Sequence, residues 1–264
     1  MLTEVKNNLK IMFLSLKYNL IRVMENRVSF LTSVSMMIFN NASFIIQWLT
    51  IFTLVEYIGS YTLNDIMLFW AISSGSYGLA NILFNGANKI PEYIENGKLD
   101  AYLVMPKNVL CHVITSSTEP SAWGDLIYGY IALIIFNFSI KNIFLYSLLI
   151  IIGALIYTSF VIICNSFTFY FIRFSETSEI LKDIFINGSL YPDVIFNRAI
   201  KIIFFTLIPC ALASWVPVHL IIEFNIYHFI LLILATNILI IIAFFLFYQG
   251  LKRYTSSNLM EARS

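Results

Sequence analysis

Long apolar segments dominate this 264-residue sequence and constrain its fold more than any other feature. A helix needs about 20 mostly apolar residues to cross a hydrocarbon core about 30 Å thick. Six segments are long enough, and they cover residues 28–58, 63–84, 118–138, 143–171, 194–215 and 226–248. Because a lipid-exposed segment must satisfy its backbone internally, each is predicted to be helical. The sequence therefore predicts an all-α integral membrane protein with six transmembrane helices, in a single transmembrane domain over 1–264.

Composition excludes the main alternatives to a membrane protein. The chain is 59% hydrophobic and 12% charged, whereas a soluble domain has roughly 45–50% apolar and 25% charged residues. The formal net charge of +1 gives no basic field for nucleic acid, so no nucleic-acid partner is expected. The three cysteines are widely spaced and form no disulfide or metal pattern.

The distribution of Lys and Arg predicts the orientation in the membrane. With Arg198 and Lys201 assigned to the start of the fifth segment, 15 of the 16 basic residues fall on one side, and Lys141 alone lies in a loop of the other. Basic residues concentrate in cytoplasmic loops. Both termini and Asp193 are therefore predicted on the cytoplasmic side, and the tight turn at Gly59 outside.

The N-terminal segment 1–22 has the pattern of an interfacial amphipathic helix. Apolar residues recur at steps of three and four from Leu2 to Leu20, while Lys6, Lys10 and Lys17 take the other side. Such a helix would lie at the acyl boundary with its lysines among the headgroups. A helix packed on a soluble partner would show the same periodicity.

Residues 88–112, called the elbow below, form the longest polar interruption. Pro91 can open a helical turn and Gly97 can end it in a left-handed conformation. Leu99 and Leu103 follow as apolar anchors in a loop that is predicted to be cytosolic. The proline and the glycine together predict a rigid projecting element, and an ordinary surface connection is the alternative.

The connection between the fourth and fifth segments, 173–191, contains a second amphipathic stretch. Its start resembles a helix cap, its apolar stripe includes Leu181 and Phe185, and Asn187-Gly188 supplies the stop. Glu179 and Lys182 on this stretch are predicted to form a second cytosolic contact. Further along the chain, Pro209 is predicted to kink the fifth span, because a proline removes a helical hydrogen bond.

The sequence contains no motif for catalysis or nucleotide binding. It lacks the GxxxxGK[ST] phosphate-binding loop, the HExxH zinc motif and the GxSxG nucleophile elbow. His219, Glu223 and His228 come nearest to a metal site and are interpreted as interfacial residues. No catalytic residue, metal or bound cofactor is therefore expected in this chain.

Polar residues within the spans allow two interpretations. Ionisable side chains are scarce there, which argues against an ion-coupled secondary transporter, although that class stays the alternative. Ser74, Gly75 and Gly78 in the second span allow close helix packing. These residues and Pro209 in the fifth span could also line a substrate path.

The elbow carries a family resemblance. Its sequence, ILFNGANKIPEYIENGKLDAYLVMPKN, resembles the signature of one branch of the ABC-2-type transporter permeases, and Tyr191-Pro192, Pro209 and Pro217 stand at places that match the same branch. One departure is Met105, where relatives usually carry arginine. The matching elbow positions include Ile94, Gly97, Leu99, Asp100, Tyr102, Leu103, Pro106 and Asn108.

The resemblance implies the role of each part. The elbow would be a cytoplasmic coupling helix between spans two and three, seated on a separate ABC ATPase, and segment 1–22 would be the connecting helix. Two permease chains, identical or siblings, would assemble with two ATPases that bind ATP and Mg²⁺. The complex would export an amphipathic peptide, antibiotic, drug or lipid across the bacterial plasma membrane. The implied ATPase-coupling residues are Glu92, Ile94, Gly97, Leu99, Asp100, Tyr102, Leu103 and Pro106.

Overall fold

The computed structural model describes residues 2–105, 108–171 and 174–255, and within these ranges the regular structure is helical. The α-helices are α1 (Leu2–Glu25), α2 (Arg27–Phe52), α3 (Leu63–Phe84), α4 (Ile90–Glu95), α5 (Asp100–Leu103), α6 (Val109–Ile114), α7 (Ala122–Asn137), α8 (Ile140–Ser166), α9 (Phe174–Leu190), α10 (Arg198–Thr206), α11 (Cys210–Ala213), α12 (Trp215–Ile222) and α13 (Ile226–Leu251). Short 3₁₀ helices lie at Asn85–Lys89, Phe167–Phe169 and Asp193–Ile195. The all-α prediction is confirmed for the described residues.

Membrane-capable helices number four by length and composition among the described residues, or up to five if a bent pair counts as one span. The four are α2, α3 with its extension to Glu95, α8 with its extension to Phe169, and α13. α7 is apolar but shorter, with 16 residues. The predicted segments 118–138 and 143–171 thus become α7 and α8, and the first segment ends as a helix at Phe52 rather than at residue 58.

Small residues bring α3 close to α7 and α8 in the core of the bundle. A Cβ on Gly78 would come within 2.7 Å of the α7 backbone. The Tyr146 hydroxyl fills the space beside Gly75 and Gly129 and donates a 3.0 Å hydrogen bond to the Ala71 carbonyl. Gly75 and Gly78 therefore serve helix packing.

The bundle has two ends, which we call the elbow end and the Tyr61 end. The elbow follows the C-terminus of α3, whereas Tyr61 precedes its N-terminus in a turn where Gly59 adopts φ +63°. α1 reaches the elbow end through hydrogen bonds to Thr115, and Tyr254, after α13, packs there on Phe169. The second half of α1 and the chain just after α13 therefore both lie at the elbow end.

The predicted fifth span over 194–215 does not form as one helix. Its residues belong to α10, α11 and the start of α12, and the break between α10 and α11 bends the chain by 74°. Pro209 stands at this break, so the predicted kink is present. Asp193 also lies at the Tyr61 end, where the Tyr61 hydroxyl contacts it at 2.6 Å. The prediction that placed Asp193 on the opposite side of the membrane from Gly59 is therefore wrong.

α9 runs from the elbow end to the middle of the bundle, and the chain after it reaches the Tyr61 end at Asp193. Near its start, Ser175 donates a 3.1 Å hydrogen bond to Glu95 of the elbow. Near its end, the Ser189 carbonyl accepts a 2.7 Å bond from Ser73, in the middle of α3. Its 17 residues give a length of about 25 Å. The stretch predicted as a cytosolic connection is thus a helix that runs through the bundle.

The segment after α9 leaves the Tyr61 end and returns to it. Lys201, near the start of α10, bonds Asp193 at 3.0 Å, and His219 in α12 lies 2.6 Å from the Tyr61 hydroxyl. Between them, Ala213 in α11 reaches the middle of α8, where its carbonyl lies beside Gly153. α10 to α12 therefore form a bent pair that dips into the bundle.

Candidate functional site

The elbow is built as a compact sequence of short helices. Pro91 stands in the first turn of α4, and Gly97 adopts φ +67°, as predicted for the residue that ends this turn. The Leu99 amide donates a 3.1 Å hydrogen bond to the Tyr93 carbonyl across the glycine. This bond closes the turn and sets α5 against α4.

Leu99 is part of the core, which corrects its prediction as an apolar anchor on the elbow surface. Its side chain is fully buried, so it holds the elbow to the bundle. The exposed apolar residues come slightly later in the chain: Leu103 is 41% exposed, Val104 83% and Met105 41%. We call Leu103–Met105 the elbow tip. Pro106, the last predicted coupling residue, lies outside the described residues.

The other predicted coupling residues divide between surface and packing. Glu92 and Lys98 are exposed and form an ion pair at 2.5 Å, which lowers the pKa of Glu92. Ile94 and Tyr102 are partly buried against the core, and the Tyr102 ring lies tilted against the Tyr93 ring, with 5.5 Å between their centroids. Asp100 is also partly exposed. The elbow thus presents charge along α4 and apolar surface at its tip.

Buried hydrogen bonds mount the elbow on α8 and α9. Asn165 in α8 is fully buried and donates a 2.7 Å hydrogen bond to the Ala87 carbonyl, directly before the elbow. Ser178 in α9 donates to the Asn165 side-chain oxygen. Movement of α9 is thereby linked through Asn165 to the base of the elbow.

Lys182 is also part of this mounting, which corrects its prediction as a second cytosolic contact. It is 3% exposed, and its ammonium group contacts Glu179 at 2.6 Å and Asn88 at 3.3 Å. Its partner Glu179 has a side chain that is 64% exposed. Of this pair, Glu179 is the exposed member.

The amphipathic helix α1 is fastened to the elbow. Ser15 and Asn19 donate hydrogen bonds of 2.7 and 2.8 Å to the Thr115 carbonyl, just after α6. Phe13 and Tyr18 remain largely exposed, at 68% and 66%. The polar side chains of α1 thus hold it to the chain after α6, whereas its aromatic side chains stay exposed.

A cavity of about 250 Å³ lies inside the bundle between α2, α3, α7 and α9. Asn41 and Asp125 meet there across 84 positions of sequence, with a 2.6 Å hydrogen bond from the Asn41 amide to the Asp125 carboxylate. Ser74 lines the same cavity, whereas Gly75, Gly78 and Pro209 do not. Of the residues predicted for packing or a substrate path, Ser74 thus lies on this cavity.

A second space of about 310 Å³ lies towards the elbow end. It shares three lining residues with the cavity, namely Tyr77, Tyr157 and Ile186. We call it the mouth. The charged side chains along it are Glu119, Glu179, Lys182 and Asp183.

Comparison with known families identifies the chain. A family model described as an ABC-2 family transporter protein matches residues 37–258. The chain belongs to the ABC-2 transporter family. This match covers the elbow, the cavity and the bent pair. Searches of curated proteins and of solved structures found no match.

Membership in the ABC-2 family has direct consequences for function. ABC-2 permeases are transport subunits in the membrane, which agrees with the four to five membrane-capable helices described above. The family implies association with an ABC ATPase. The identification predicted from the elbow signature is therefore confirmed at the level of the family.

Sequence reasoning missed several residues of this ABC-2 protein because their partners are distant in the chain. Asn41 and Asp125 are polar residues in apolar segments, but nothing in the sequence pairs them. The basic residues place Asp193 on the opposite side of the membrane from the turn at Gly59, which Tyr61 follows two residues later. A polar residue in an apolar helix is the available signal, and the fold alone supplies the partner.

Proposed function

We propose that this chain is the permease subunit of an ATP-driven exporter in a bacterial plasma membrane. It pairs with a second permease, identical or a sibling, and with two ABC ATPases that bind ATP and Mg²⁺. Its cargo is an amphipathic molecule such as a peptide, an antibiotic or other drug, or a lipid. The elbow is the observation that carries the proposal, because it joins a mounted rigid base to an exposed apolar tip.

The elbow has the properties that a force-transmitting contact requires. Val104 at its tip is 83% exposed and apolar, which suits burial in a groove on a partner. Leu99 and Asn165 fix the base to the core. A push on the tip would therefore move α8 and α9 rather than bend a loose loop.

The proposed membrane topology has six crossings: α2, α3, α7, α8, α9 and α13. α9 takes the place of segment 194–215, and α10 to α12 re-enter from the Tyr61 end. Arg198 and Lys201 then join Lys141 on the outer side, so the basic bias weakens but keeps its direction. The elbow end and both termini are proposed to face the cytoplasm.

The test of this function is copurification with the ATPase. The full chain, expressed with its native ATPase, is expected to bring down that ATPase and to export only with ATP. Val104→Asp should reduce copurification about tenfold or more, since losing an interface anchor commonly costs about 1–3 kcal/mol. Val55→Asp is the matched control, because Val55 is an exposed valine at the Tyr61 end.

Two results would contradict the proposal. Wild-type copurification by Val104→Asp would show that the tip does not contact the ATPase. Transport in vesicles with an ion gradient and without ATPase would favour the ion-coupled secondary transporter instead.

A further inference from the structure

The cavity contains a buried carboxylate oxygen without a hydrogen-bond partner. Asp125 is 5% exposed, and Asn41 satisfies one of its carboxylate oxygens, Oδ1. The other oxygen, Oδ2, has no partner among the described residues. The Ser76 hydroxyl, on a residue 3% exposed, lacks a partner in the same way and lines the same cavity. Buried acceptors of this kind cost free energy until a donor meets them.

The sign of the charge in the cavity is negative. Among the described residues that line it, Asp125 is the one that carries a formal charge at neutral pH. Aromatic rings form much of the remaining wall, including Phe44 and Trp70, which stack at 4.4 Å between ring centroids. The faces of aromatic rings attract cations. The Asp125 carboxylate and the aromatic rings thus both favour a cation as the ligand.

The mouth carries the same sign as the cavity. Glu119, Glu179 and Asp183 oppose a single described cation, Lys182, which is already paired with Glu179. A cleft lined by one sign of charge raises the local concentration of the opposite sign. A cation at the elbow end would therefore be drawn toward the cavity.

The size of the cavity limits what can occupy it. Its volume of about 250 Å³ falls below the roughly 300–1,000 Å³ of sites that enclose a drug-sized ligand. The cavity suits a headgroup with the first part of an apolar chain. A larger substrate would extend beyond it.

We propose that this cavity binds the protonated amino group of an amphipathic amine. The ammonium donates to Asp125 Oδ2, the Ser76 hydroxyl is a further polar group on the cavity wall, and the adjoining apolar part lies against Phe44 and Trp70. An amino lipid and a peptide with a free amino terminus share this chemistry. The inference names the substrate class and so rests on the proposed function.

The experiment compares two probes of equal chain length. Decylammonium below its critical micelle concentration and decanol below its solubility limit are titrated by calorimetry into the purified full chain in nanodiscs. Wild type should bind decylammonium at least tenfold more tightly than decanol. Asp125→Asn should abolish that preference while leaving decanol binding unchanged, and Glu176→Gln, which removes an exposed carboxylate of α9 outside the cavity and the mouth, should keep it.

A second variant and a second pair of probes sharpen the result. Ser76→Ala should weaken decylammonium binding by about threefold, which tests the site even where Asp125→Asn does not fold. Lysophosphatidylethanolamine and a short apolar peptide with a free amino terminus then distinguish a lipid from a peptide source. Equal binding of decylammonium and decanol by wild type, or an unchanged preference in a folded Asp125→Asn chain, would overturn the proposal.

These measurements use the permease alone and are independent of the ATPase. Amine binding without ATPase copurification would contradict the proposed function but not the amine site. ATPase copurification without a preference for decylammonium would contradict the amine site but not the proposed function.

Discussion

The hydroxyl of Tyr61 donates a 2.6 Å hydrogen bond to the carboxylate of Asp193, 132 positions further along the chain. Lys201 contacts the other carboxylate oxygen at 3.0 Å, and His219 lies 2.6 Å from the Tyr61 hydroxyl. This cluster joins the turn before α3 to both arms of the bent pair. It therefore fixes how α10 to α12 sit on the bundle.

The contribution of Asp193 to stability should depend on pH. Burial raises the pKa of Asp193, but hydrogen bonds from Tyr61 and Lys201 and the charge of Lys201 outweigh it and hold the pKa below its usual value. An acid with a lowered folded-state pKa stabilises the fold above its unfolded pKa of about 3.9 and loses this contribution as pH falls through the folded value.

We therefore expect Asp193→Asn to lower the unfolding temperature at pH 7 by a few degrees, at roughly 2–4 °C per kcal/mol lost. The difference from wild type should shrink as the pH is lowered below about 4. Thermal unfolding in detergent across this range measures it, with Glu56→Gln as a control at an exposed carboxylate of the same end. A difference that grows on acidification would contradict the assignment.

Cysteine labelling tests the revised topology. Because α9 carries the chain to the Tyr61 end, Arg198→Cys should react from outside intact cells, as Ser60→Cys should. Lys98→Cys should react only after permeabilisation. The background is Cys111→Ser, since Cys164 and Cys210 are buried. Protection of Arg198→Cys from outside, with Ser60→Cys labelled, would restore the fifth span at 194–215.

Local features of the fold could be predicted from the sequence. Pro91 begins a helical turn in the elbow and Gly97 ends it because of their own backbone preferences, and the structure places both as expected. Long apolar runs also predicted α2, α3, α8 and α13, because length and hydropathy alone decide whether a helix can cross a membrane.

The sequence misled where polar residues are satisfied inside the bundle. α9 carries Glu179, Lys182 and Asp183 and therefore looks like a cytosolic helix, yet Lys182 is buried between its partners. The bent pair is apolar enough to look like a span, yet it starts and ends at the Tyr61 end. Periodicity cannot distinguish these cases, since the partners lie far away in sequence.

Close packing of α3 on α7 should be sensitive to one methyl group. Gly78→Ala places a Cβ 2.7 Å from the α7 backbone, which cannot move aside like a flexible side chain. We expect a loss of about 1–3 kcal/mol in stability from this overpacking. Ser74→Ala is the control, because its side chain faces the cavity and the change removes volume. Equal unfolding temperatures for Gly78→Ala and wild type would contradict the close contact.

Substitutions at the base and at the tip of the elbow should have different effects. A change at the base should lower stability, whereas a change at the tip should weaken ATPase copurification. Leu99→Ala removes a fully buried side chain, for which losses of about 2–5 kcal/mol are typical, so it should lower the unfolding temperature. Val104→Ala removes an exposed side chain and should leave stability unchanged while weakening ATPase copurification. Thermal unfolding and copurification are measured on both variants. Unchanged stability in Leu99→Ala would mean that the elbow is not anchored through this residue.

Asn165 offers the sharpest test of how the elbow is mounted. Asn165→Ala leaves the Ala87 carbonyl and the Ser178 hydroxyl without the partners they have in the fold, and each unsatisfied buried group costs about 1–3 kcal/mol. The α9 link to the elbow would be lost although the tip stays intact.

We expect Asn165→Ala to keep ATPase copurification but to uncouple ATP hydrolysis from export in proteoliposomes. Asn237→Ala is the control, since the Asn237 amide donates to the Ile233 carbonyl of its own helix on the exposed surface of α13. Full coupling in Asn165→Ala would show that force passes to the bundle by another route, such as the hydrogen bonds between α1 and Thr115.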